Sequence, residues 1–157
     1  VIAHEIGHQW FMGIEGSDSY NEPWLDESFA SYTEWVYCKK FFPDQAADGI
    51  WWLGYDMSTS ISDYDNMAPG SSYINLSVSQ MTDTYTYWFK IYAEGAHFLF
   101  LLEQELGEDV MYDFIKEYVS RYKFKNSTTE DFVNTLYDVV GTGNKDVNKT
   151  VDTFLDV

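Results

Sequence analysis

The run His4-Glu5-Ile6-Gly7-His8 places two histidines four residues apart with an acid directly after the first. No other feature restricts the fold of this chain as much. Residues at i and i+4 share one face of an α-helix, with Cβ atoms about 5–6 Å apart, so both imidazoles can reach one metal ion only if the segment is helical. Glu5, beside the first imidazole, can then address a water on that ion instead of the ion itself. The chain holds only 3 histidines in 157 residues. Chance would produce such a pair, with its acid, in fewer than about one in a hundred chains of this kind.

A hydrolytic zinc centre takes three protein ligands and keeps a fourth position open for water. Glu27, 19 positions after His8, is the candidate third ligand, because Gly13 and Gly16 allow the chain to turn and bring a second helix back against the first. Two His and one Glu leave a bound zinc with net positive charge, which acidifies its water. The third histidine, His97, sits beside Phe98 in an apolar stretch and is expected to be a packing residue.

The remaining composition narrows the class. Hydrophobic residues make up 45% and aromatics 19% of the chain, enough for one well-packed core and too many for disorder. With 26 acidic against 9 basic residues the net charge is −17, and the basic residues form no cluster, which argues against a nucleic-acid partner. An acidic surface favours solubility and tolerates a cationic substrate group such as a peptide amino terminus. Cys38 stands alone, so no internal disulfide is available, and no uninterrupted apolar run is long enough for a membrane span. Nothing in the residues indicates a compartment.

Hydrophobic periodicity predicts a mainly helical chain with a single core over residues 1–157. Ile2, Ile6 and Trp10 form one face of a first helix ending near Met12, and Pro23 opens a second helix through Leu25, Phe29, Tyr32, Val36 and Tyr37 to Pro43. Residues 1–42 thus carry the metal candidates. A third helix is expected after Pro43, with Ile50, Trp52, Leu53 and Met57 on its face, and then a long loop over 58–82 whose one strand-like piece is 73–78. Helices follow over 84–106, stopped by Gly107, and over 108–122. Ser127-Thr128-Thr129-Glu130 reads as a capping box for a helix ended by Gly141, and a last helix is expected over 146–155. The start of the chain runs into helical periodicity without a cap, which suggests that it was cut from something longer.

The blocks His4-Glu5-Ile6-Gly7-His8-Gln9-Trp10-Phe11 and Trp24-Leu25-Asp26-Glu27-Ser28-Phe29-Ala30, at this separation, resemble the gluzincin metallopeptidases of the aminopeptidase N family. Tyr92-Ala93-Glu94-Gly95-Ala96 resembles the segment in which that family carries its catalytic tyrosine. The resemblance implies the helical half of a thermolysin-like (zincin) catalytic domain, with zinc on His4, His8 and Glu27, Glu5 as the water-activating base and Tyr92 stabilising the transition state. Tyr85 and Tyr87 are the alternatives to Tyr92. Ser28, Asp26 and Gly7 depart from the family's usual Gly, Asn and Ala. The family's β-rich half, which binds the substrate amino terminus, would lie upstream of Val1 and complete the cleft.

The function so implied is zinc-assisted hydrolysis of a peptide substrate, with aminopeptidase action favoured. Carboxypeptidases usually capture a terminal carboxylate with arginine, and this chain offers only Arg121. Two other readings stand beside it: a catalytically silent scaffold that keeps the fold, and a related zinc hydrolase acting on a non-peptide substrate.

Overall fold

The computed structural model describes residues 1–44, 50–51, 55–56, 73–81 and 83–157. Helix dominates it. In chain order the elements are α1 (Ile2–Gly7), α2 (Trp24–Phe41), a strand pair β1 (Ile50–Trp51) and β2 (Tyr55–Asp56), a 3-10 turn (Val78–Gln80), α3 (Thr84–Trp88), a π-helical segment (Phe89–Glu94), α4 (Gly95–Leu106), α5 (Glu108–Tyr122), α6 (Thr129–Val140) and α7 (Lys145–Phe154).

The first helix is shorter than its periodicity predicts, ending at Gly7 instead of near Met12. Beyond it the chain winds more widely, with Gly13 N–H donating to His8 O at 2.9 Å and Glu15 N–H to Trp10 O at 2.9 Å, each five residues back. Met12 has a φ of 97°, and a Cβ on Gly13 would stand 2.8 Å from Gln9 O, so the chain folds tightly over the end of the helix. The Ile2, Ile6 and Trp10 face is not a core face: these residues are 80%, 51% and 48% exposed. The opposite face, carrying His4 and Gly7, packs on α2, and a Cβ on Gly7 would lie 3.1 Å from Ala30 Cα.

The second helix follows its prediction. The expected third helix does not include Ile50, because Ile50–Trp51 pairs antiparallel with Tyr55–Asp56, as suits β-branched and aromatic residues. Trp52, Leu53 and Met57 lie outside the described residues, as does most of the 58–82 loop. The strand-like 73–78 piece forms no strand. Ile74 is buried and its N–H donates to Phe154 O at 2.9 Å, while Asn75 exchanges two hydrogen bonds with the backbone of Asp156. The end of the chain thus meets this piece through Ile74 N–H and the Asn75 side chain, in place of a neighbouring strand.

Residues 84–106 are helical throughout but not uniformly so, since six of them wind as a π-helix. Gly107 (φ 81°) and Gly141 (φ 76°) stop α4 and α6 as predicted. The cap of α6 is displaced by one residue: Thr128 and Asp131 form the box, and Ser127 turns inward. Asn144 caps α7 by accepting from Asp146 and Val147 N–H.

Aromatic rings from α2, α4, α5 and α6 build the core. Phe132 lies at its centre, edge-on to Trp24 (5.0 Å) and Phe114 (5.1 Å) and within 6 Å of Phe29, Phe98 and Tyr118. Val147, Val151 and Phe154 of α7 join the same cluster. Among the described residues no helix is long and apolar enough to cross a membrane.

Candidate metal centre

Two helices meet at the predicted ligands. His4 and His8 face α2 from successive turns of α1 and its C-terminal cap, and Glu27 lies in the first turn of α2. His4 Nε2 is 3.1 Å from Glu27 Oε2 and 3.1 Å from His8 Nε2, and His8 Nε2 is 3.4 Å from Glu27 Oε2. Among the described residues these three form the one group whose ligand atoms converge, all within 4.8 Å of one another. A tetrahedral zinc bound at about 2.0–2.1 Å holds its ligand atoms about 3.3–3.4 Å apart, which matches the three separations. The residues therefore fit the ion.

The ring orientations suit it too. His8 Nδ1 lies 3.2 Å from Phe11 O, an atom that can only accept, so Nδ1 carries the proton and Nε2 presents its lone pair toward Glu27. Ser31 Oγ approaches His4 Nδ1 at 3.4 Å. Burial pushes the Glu27 carboxyl up, but hydrogen bonds from His4 and Tyr92 and the electrostatic attraction of the two neighbouring histidines outweigh it and leave the pKa lowered, so Glu27 is held ionised. Asp26 braces this turn: its Oδ1 accepts Glu27 N–H at 2.6 Å and its Oδ2 accepts Ser19 Oγ–H at 2.9 Å.

Glu5 and Tyr92 join the same place. With Val1, His4, His8 and Glu27 they line a cleft of about 270 Å³. Glu5 is exposed to the cleft, as a group that exchanges protons with water must be. Tyr92, from the π-helical segment, stacks on His4 with ring centroids 5.6 Å apart. Burial first, then the neighbouring Glu27 carboxylate, raises its pKa far above the ordinary phenol value, so it remains a hydrogen-bond donor.

The other candidates separate from the site. His97 is buried in α4 among Phe100 and Phe154, consistent with a packing role. Tyr85 is half exposed beside Trp88 and Phe89, away from the histidines, whereas Tyr87 touches Tyr92 edge-on at 6.1 Å. A larger hollow of about 690 Å³, lined by Val1, Ile2, Ile6, Tyr37, Cys38 and Phe42, lies on the far side of α1 and contains none of the ligand candidates.

The model of the peptidase family M1 domain matches residues 1–154. The chain belongs to that family. Aminopeptidase 2, mitochondrial, of Saccharomyces cerevisiae is 29% identical over 154 residues, covering 97% of this chain and 15% of its own length. A probable aminopeptidase 1 of Sulfurisphaera tokodaii is 29% identical over 146 residues, covering 90% of this chain and 18% of its own. Among solved structures, an M1 zinc metallopeptidase variant of Deinococcus radiodurans, bound to a Tyr-Ser-Ala substrate, superposes with a TM-score of 0.71 at 18% identity. It covers 98% of this chain and 32% of its own, so the fold is that of the helical part of M1 peptidases. The chain spans less than a fifth of the length of the M1 relatives it matches in sequence.

Proposed function

We propose that these residues form the helical, zinc-binding part of an aminopeptidase. The convergence of His4, His8 and Glu27 at tetrahedral spacing, with Glu5 and Tyr92 on the same cleft, carries this reading. Zinc held by the three side chains would supply Lewis acidity, activating a water and polarising the scissile carbonyl. Glu5 takes the water's proton and returns it to the departing amine. Tyr92, kept protonated, donates its hydroxyl hydrogen to the oxyanion that develops on the carbonyl.

Several observations favour an N-terminal over a C-terminal exopeptidase. The cleft is lined by carboxylates, which suit a substrate ammonium. Arg121, the one arginine, is engaged by Glu117 (2.7 Å) and Asp138 (2.6 Å) and does not line the cleft. The relatives in sequence carry the name aminopeptidase. The described helices act as one unit whose partner is an upstream β-rich subdomain completing the substrate cleft. The exposed Ile2 and Ile6 of α1, Trp10 just beyond it, and the short share of the relatives' length support that arrangement.

The test is zinc content and hydrolysis of aminoacyl-anilides by the full-length protein. One zinc per chain is expected, lost in His4→Ala and His8→Ala. Glu5→Gln should keep the zinc yet lose about 10²- to 10⁴-fold in rate. Bound zinc without turnover, or a Glu5→Gln variant as fast as wild type, would refute the reading.

A further inference from the structure

The hydroxyl of Ser28 meets the helix that carries Tyr92 at the point where its hydrogen-bond ladder changes pitch. At the end of the π-helical segment Gly95 N–H goes to Lys90 O, five residues back. In an α-helix that N–H would serve Ile91 O. Ile91 is fully buried, so its carbonyl has lost its α-helical donor in a place where an unpaired acceptor is costly. Ser28 Oγ, also fully buried, donates to that carbonyl at 2.6 Å.

The fit is tight on its other side. A Cβ on Gly95 would lie 1.9 Å from Ser28 Oγ and 2.7 Å from its Cβ, so the absence of a side chain at 95 lets the hydroxyl reach the ladder. Two residues of one turn of α2 thus point to two ends of the same device. Glu27 belongs to the ligand cluster, and the next residue, Ser28, holds the carbonyl that precedes Tyr92. One extra residue in a helical turn rotates everything beyond it by about a quarter turn, and π-bulges recur at functional sites for that reason.

We propose that Ser28 is a positioning residue for Tyr92: by capping Ile91 O it fixes the π-helical turn and so sets the tyrosine hydroxyl relative to the metal ligands. The inference rests on the role of Tyr92 given under Proposed function. Ser28 touches neither substrate nor metal and acts only through the backbone of the π-helical segment.

The test compares Ser28→Ala, Tyr92→Phe and the double variant in the full-length, zinc-loaded protein, together with hydrogen exchange of residues 89–95 in the metal-free protein. Ser28→Ala keeps the Cβ and removes the donor. We expect kcat to fall by about five- to thirtyfold from the loss of one buried hydrogen bond, with KM and zinc content unchanged. Exchange in the segment should rise, and the double variant should be no slower than Tyr92→Phe alone, because both changes remove the same interaction. A purely structural serine would instead give additive losses, and that result overturns the proposal. So does Ser28→Ala at the wild-type kcat, or a loss of zinc in that variant. If Tyr92→Phe itself is as fast as wild type, the assigned role of Tyr92 fails first and the proposal falls with it, which separates the two failures. Ser28→Gly removes the same donor and gives the same comparison should Ser28→Ala not fold.

Discussion

Glu15 is fully buried, and replacing it by glutamine should change how stability depends on pH. Its Oε1 accepts from the hydroxyls of Tyr118 (3.1 Å) and Ser127, while Oε2 is buried and meets no donor among the described residues. Burial, reinforced by the charge of Asp26 and opposed by the bonds from Ser127 and Tyr118, raises the carboxyl from an ordinary 4.5 to about 7. A proton is therefore bound more tightly in the folded state. Between pH 4.5 and 7 the native protein holds it while the unfolded chain has released it, so stability falls with rising pH across this window and levels off above it. The shift corresponds to about 3 kcal/mol. Glu15→Gln retains an acceptor for the two hydroxyls and cannot ionise. Any fixed packing cost of the amide shifts the variant equally at every pH, so only the difference in slope matters. Urea unfolding of both proteins from pH 5 to 8 should show the variant gaining up to about 3 kcal/mol on the wild type as pH rises. Parallel curves would show that Glu15 is ionised normally and that the raised pKa is wrong.

Met12 holds a φ of 97°, which a residue with a Cβ adopts only under strain, so Met12→Gly should stabilise the chain by about 1 kcal/mol in thermal unfolding. Gly95→Ala should destabilise by about 1–3 kcal/mol because its methyl would stand 1.9 Å from Ser28 Oγ, and adding Ser28→Gly should recover only part of the loss in Tm, since it relieves the clash but forfeits the bond to Ile91 O. Phe132→Ala opens the centre of the aromatic cluster and should cost about 3–5 kcal/mol in chemical denaturation.

The helices with strong periodicity and glycine stops were readable from the residues alone. The 108–122 helix has its predicted bounds, and Gly107 and Gly141 stop their helices as expected. Spacing also brought the metal candidates together in advance, because i and i+4 on a helix fixes two positions in space and Glu27 needed only a return of the chain. The misreadings have a common cause, which is that local pattern does not report what lies opposite. Ile2, Ile6 and Trp10 have the spacing of a core face but look outward, since a face is buried only if something packs on it. The π-helical turn was invisible because one extra residue barely disturbs an already apolar run. Ser127 reads as part of a helix cap, yet it meets Glu15 across 112 residues and both sit in the core.

That long-range pairing also orders events in time. Besides its local hydrogen bonds, the connection between His8 and Glu27 is tied down by residues made much later: Gly16 N–H bonds Lys125 O, Ser127 N–H bonds Gly16 O, Thr129 N–H bonds Glu22, and Trp24 donates to Thr129. A nascent chain halted before residue 125 already contains both histidines and Glu27 but lacks every one of these ties. Closing a loop of about a hundred residues comes at an entropic cost that must be met before the contacts form. Metal capture with native geometry is thus a late step of biogenesis, and a ribosome-stalled chain truncated before Lys125 should retain zinc far more weakly than one released after Thr129.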